Sequence, residues 1–127
     1  SDPLRTLGPK VHRTDHMSRP ISHQEARLVA RVLAVGAKVP PGPALIASIP
    51  ALRVTATCRC GCATIWFGPD GDATVGHLLA EASASIDGAS VAVIVWSQGD
   101  AIAGLEIIGY EASGLPDPLS VTGYGDP

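Results

Sequence analysis

The chain has 127 residues, 46% of them hydrophobic and 17% charged, with a formal net charge of −3. That length holds one hydrophobic core, and that composition excludes an intrinsically disordered chain. An acidic balance with scattered arginines lacks the basic footprint of a nucleic-acid binder, and no apolar run approaches the ~20 residues of a membrane span.

Residues 1–17 are polar and aperiodic, and with Pro3 and Pro9 they do not resemble a secretory signal. His16-Met17 is what a common cloning site encodes ahead of a start codon. The stretch is therefore read as a vector-derived remnant or a disordered arm, which sets His12 and His16 aside as ligands. The expectation for the rest is a soluble, cytoplasmic protein.

Ser22-His23-Gln24-Glu25 forms a capping box. The Ser22 hydroxyl can accept from the Glu25 amide while the Glu25 carboxylate reaches back to the Ser22 amide. Leu28, Val29, Val32, Leu33 and Val35 follow at helical spacing, with Gln24, Arg27 and Arg31 outward. The spacing predicts a helix over 22–36, with Gly36 as a left-handed stop. Pro40, Pro41 and Pro43 around Gly42 make a stiff connector. Pro43 then opens a short second helix through Leu45, Ile46 and Ile49, ended by Pro50.

After Pro50 the apolar period changes to two. Leu52, Val54, Ala56 and Cys58 alternate with Arg53, Thr55, Thr57 and Arg59, which predicts a half-buried strand. Residues 63–67 read as its return partner, and Gly68-Pro69-Asp70-Gly71-Asp72 as a turn. Residues 76–86 suit either a strand or a helix. Val91, Val93 and Val95 alternate with Ala92, Ile94 and Trp96, and Gln98-Gly99-Asp100 turns the chain into a last strand from Ala101 to Tyr110.

Segregated helices and strands predict an α+β fold: two N-terminal helices packed on a mainly antiparallel sheet of about four to five strands. A single domain is expected over 18–117, with 118–127 as an irregular tail.

Chemical potential concentrates in Cys58-Arg59-Cys60-Gly61-Cys62, at the expected hairpin tip. Thiolates two residues apart on an extended chain point to one side, and Gly61 permits a bend that brings round the third sulfur. Such a claw suits zinc. A closed site needs a fourth ligand, for which His77, Asp70, Asp72 or another subunit are the candidates. Thiol redox chemistry is a further reading, with Arg59 lowering a neighbouring thiol pKa. Ahead of both stands the plainer account that small cysteines fill a crowded turn.

The remaining candidates also have plain explanations. His77 at an element boundary reads as a surface or capping residue. Glu106 sits on the wetter sheet face with Ile108. Asp70 and Asp72 fall short of a calcium loop. Trp66, Phe67 and Trp96 are three of five aromatics; two tryptophans on a shared face would line a groove, although core packing explains them too. Phosphate loops, nucleophile elbows, zinc helices and paired carboxylates are all missing.

The pattern Ile21-Ser22-x-x-Glu25-Ala26-Arg27, Leu52-Arg53-Val54, Cys58-x-Cys60-Gly61-Cys62, Val93-Ile94-Val95, Leu105-Glu106-Ile107 and Leu115-Pro116-Asp117-Pro118 is similar to a group of small uncharacterised bacterial proteins common in high-GC genomes. Seven arginines against two lysines agree with that origin. Members often carry proline after the last cysteine, where this chain has Ala63. The resemblance implies fold and origin but no activity. The expectation is a non-enzymatic binding or accessory domain with a protein partner, contacted through the sheet edge or the glycine-rich C-terminal tail. Zinc binding through Cys58, Cys60, Cys62 and His77 is the alternative, and a thiol redox protein the third reading.

Overall fold

A computed structural model describes residues 18–57, 63–68, 76–109 and 114–123. In chain order these form β1 (Arg19–Pro20), α1 (His23–Gly36), α2 (Pro43–Ser48), a 3-10 turn (Ile49–Ala51), β2 (Arg53–Val54), β3 (Ala56–Thr57) and β4 (Ile65–Trp66). There follow β5 (His77–Ile86), β6 (Ala89–Gln98), β7 (Ala101–Ile108), a second 3-10 turn (Pro118–Ser120) and β8 (Thr122–Gly123). The fold is α+β. Among the described residues its main sheet has six strands in the order β3-β4-β7-β6-β5-β8, β1 and β2 form a separate pair, and all the pairings are antiparallel. The sheet exceeds the expected four to five strands because three of its members are only two residues long.

The start of α1 follows from its capping box. The Glu25 amide donates to Ser22 Oγ at 3.0 Å, and the Ser22 amide donates to Glu25 Oε1 at 2.9 Å. Arg19 completes the corner, its two terminal nitrogens reaching Glu25 Oε1 and Oε2 at 2.9 and 2.8 Å. One carboxylate thus caps the helix and ties β1 to it. The Arg19 hydrogen bond and charge hold the Glu25 carboxyl below its ordinary value of 4.5, against the opposing effect of burial. Since this native pKa is lowered, the stabilisation is complete above the ordinary carboxylate value and is lost as pH falls through the lowered one. Ser22→Ala is expected to cost about 1 kcal/mol. Glu25→Gln should remove part of the acid limb of stability, as read by circular dichroism across a pH series; an unchanged acid limb would contradict the role given to Glu25.

Leu28, Val29, Val32 and Leu33 on α1 are buried against the inner face of the sheet. That face presents Ala80, Ala82 and Ala84 from β5, Val91, Val93 and Val95 from β6, and Leu105 and Ile107 from β7. The small alanines of β5 let α1 approach the backbone closely. Its last residue, Gly36, lies so near the Glu81 peptide that a Cβ there would overlap the Glu81 carbonyl oxygen. Gly36 is therefore no left-handed stop. Helix α1 ends with Ala37 in extended conformation (φ −81°, ψ 131°), and among the described residues the positive-φ glycines are Gly88, Gly99 and Gly114. A close backbone approach, and not a turn, requires this glycine.

Residues 76–86 resolve as strand. Ala80, Ala82 and Ala84 face α1, and Glu81, Ser83 and Ser85 between them remain half-exposed, a period of two that no helix would satisfy. Asp87 (φ 50°) and Gly88 (φ 85°) join Ile86 to Ala89 in a tight two-residue turn, and Gly99 (φ 62°) starts another between Gln98 and Ala101. Helix α2 follows the expected bounds but buries no residue fully; only Leu45 leans on the core.

Two further expectations need correction. The single strand from Leu52 to Cys58 is broken at Thr55, whose hydroxyl donates to the Gly68 carbonyl at 2.6 Å. Val54 packs under α1, whereas Ala56 joins a different cluster with Trp66 and Trp96. The expected irregular tail from residue 118 is partly built into the fold. Pro118–Ser120 forms a 3-10 turn, Val121 is fully buried, and β8 pairs with Ala82 and Ser83.

Candidate functional site

The cysteines Cys58, Cys60 and Cys62 and the acidic pair Asp70 and Asp72 lie outside the described residues. The flanking strands are described: Thr57 pairs with Ile65 and Ala56 with Trp66, antiparallel, so residues 58–64 join two neighbouring strands. His77 is the exposed first residue of β5, three strands from β4 in the sheet order. At ~4.8 Å per strand that spans about 14 Å of sheet. Among the described residues no group of three His, Cys, Asp or Glu side chains could hold a metal, and no helix is long and apolar enough to cross a membrane.

The face of the sheet turned away from α1 carries the tryptophans. Trp66 of β4, Gly104 of β7 and Trp96 of β6 stand in register across three strands. The bare Cα of Gly104 leaves room for the Trp66 ring; a Cβ there would meet its six-membered edge. Trp66 and Ala103 are buried there, with Ala56 and Trp96 against them. Trp96 Nε1–H donates to Glu106 Oε1 at 2.8 Å, so the indole and the carboxylate satisfy one another. The tryptophans do share a face, and there they make a small second core across Gly104. Glu106 lies opposite Leu105 and Ile107, as the alternation requires, beside Ile108, which is 48% exposed.

No protein-family model, curated protein or solved structure matches this chain.

A groove of about 690 Å³ runs where the end of α1 meets the outer side of β5. One wall is Val35 to Val39 and the other is Leu78, Leu79 and Glu81, with Gly123 of β8 closing one end. Val39 is 76% exposed and Leu78 48%. Strand β5 pairs with β6 along its length, but on its other side β8 reaches only Ala82 and Ser83. From His77 to Glu81 that side has no strand partner among the described residues. The groove therefore combines apolar side chains, the charged residues Lys38 and Glu81 and a stretch of strand edge with no strand partner among the described residues. Those are the elements of peptide recognition by strand addition. A sequence reading could not find it, because Val39 sits in the proline-rich connector and Leu78 in the undecided segment. The β5 edge became visible only once the strand order was known.

Proposed function

We propose that this chain is a non-enzymatic binding domain that takes an extended polypeptide segment along the outer edge of β5. The observation supporting this reading is that β8 and the groove share one edge. Strand β8 pairs antiparallel at Ala82 and Ser83, and the part of β5 that has no strand partner among the described residues continues directly from it, with Gly123 at the junction. A segment lying in the groove would extend the ladder that β8 begins. Its backbone would bond to edge-facing groups of His77–Ala80, beyond the Glu81 peptide that Gly36 already covers, while its side chains met Val39 and Leu78. Affinity would come from the main-chain ladder, and selectivity from the apolar walls and the Lys38 and Glu81 charges. A bulge between Leu78 and Ala80 twists this edge away from a flat template, a device that discourages indiscriminate strand pairing.

Selection from a random peptide library, followed by titration of the isotope-labelled chain with the recovered peptides, tests the reading. Amide shifts and new exchange protection are expected at residues 77–81. The exposed-position variants Val39→Lys and Leu78→Lys are expected to weaken binding about tenfold, about 1.4 kcal/mol. Peptides that perturb the tryptophan face and leave 77–81 unmoved, or a library that yields no binder, would overturn it.

A further inference from the structure

A second groove, of about 440 Å³, lies on the outer side of α1, bounded by Arg27, Ala30, Arg31 and Ala34 of the helix and by Pro118 and Leu119 of the second 3-10 turn. From this arrangement we infer an interaction surface for an acidic, amphipathic helical segment of a protein partner, independent of the β5 edge. Arg27 and Arg31 are one helical turn apart, on the same side of α1. Both are exposed, and neither has a hydrogen bond or ion pair among the described residues, whereas Arg19 is bound through both terminal nitrogens to Glu25. The chain carries 12 acidic residues against 9 basic ones. Two unpaired arginines at adjacent turns in such a chain present a local cationic surface against an acidic background, which favours carboxylates from outside.

The neighbouring residues favour a helix as the occupant. Ala30 and Ala34 keep the groove floor shallow beside the guanidinium groups, so a second helix axis can come close. Leu119 stands at the rim with 75% of its surface exposed, the second most exposed large apolar side chain among those described after Val39. It is held there by its turn: its amide donates to Asp117 Oδ1 at 2.9 Å, and Ser120 Oγ donates to the Asp117 carbonyl at 2.6 Å. Val121 beyond it is buried, and Pro118 before it is buried, so Leu119 is displayed from a fixed base. A partner helix with two glutamates one turn apart would pair with Arg27 and Arg31 while an adjoining leucine covered Leu119. Arginine suits this geometry, because its planar fork can grip a carboxylate with two bonds.

The test uses the full chain and a designed helical peptide bearing two glutamates one turn apart beside a leucine stripe. Controls are the same peptide with glutamine and with lysine in place of glutamate, and inorganic phosphate alone. Titration calorimetry at low salt is expected to show the glutamate peptide bound, the glutamine peptide weaker by about tenfold or more, and affinity falling as salt is added. The double variant R27E/R31E should lose the glutamate peptide and gain the lysine peptide, and Leu119→Ser should weaken the former without changing its salt dependence. Leu78→Lys, which disables the β5 edge, should leave these values unmoved. All these positions are exposed, so circular dichroism should report an unchanged fold. Equal binding of the glutamate and glutamine peptides, competition by phosphate alone, absence of any binding, or no gain of the lysine peptide in the reversed variant would each overturn the inference.

Discussion

Gly36→Ala is expected to lower stability by about 1–3 kcal/mol, the cost typical of an added methyl in a closed contact. The sign is what makes the result informative. Within a helix the same substitution ordinarily stabilises by up to ~1 kcal/mol, because alanine loses less backbone entropy. Here the new methyl would overlap the carbonyl oxygen of Glu81, a main-chain atom fixed by the pairing of β5 on either side of it. Either α1 lifts from the alanine stripe of β5 or the strand shifts, and both loosen a core that includes Leu33 and Val32. Urea unfolding monitored by circular dichroism reads the difference. A variant more stable than the parent would show that α1 does not seat where the close approach puts it.

An equally large effect is expected on the opposite face. Gly104→Val places two methyls and a branch where the Trp66 ring lies, and should cost at least about 1–3 kcal/mol. Trp66→Leu should cost a comparable amount by leaving a void beside Ala103 and Trp96. The two losses should not add. With the smaller leucine at residue 66 the valine gains room, so the double variant is expected to be more stable than the sum of the single losses predicts, by ~1 kcal/mol or more of coupling. Strict additivity would mean that the ring and the glycine do not share the space attributed to them. The Trp96–Glu106 bond offers an internal check: Trp96 fluorescence should respond to Glu106→Gln far less than to Gly104→Val if the packing across Gly104, and not the carboxylate, sets its surroundings.

The parts of this fold legible in the sequence were those governed by neighbours along the chain. The Ser22–Glu25 box fixed the start of α1, because both partners lie within one turn. The valines of β6 separated cleanly from Ala92, Ile94 and Trp96, because a strand alternates by geometry. The Asp87-Gly88 pair is equally local: it is the residue pair a two-residue hairpin prefers, and it identifies the ambiguous run before it as strand. What depended on distant partners was not legible. Nothing local in Thr122-Gly123 announces a strand; it becomes one because β5 offers an edge at Ala82 and Ser83. Gly36 and Gly104 look like a stop and a weak strand position until Glu81 and Trp66 are brought against them. The candidate grooves are of this second kind, since each is made by segments far apart in the chain. The cysteine reading lies outside the described residues.

The arrangement of β8 also bears on how the chain acquires its structure. Helix α1 stands near one end of the described residues and β8 at the other, yet α1 packs against this edge strand, with Val121 buried in the core they share. The β5–β6–β7 meander can zip from its two tight turns using contacts close in sequence, which is the fast part of assembly. Closure over α1 must await a segment about a hundred residues downstream. A nascent chain leaving the ribosome would hold its helix against an unfinished sheet, and completion would be expected only after release of Gly123 from the exit tunnel.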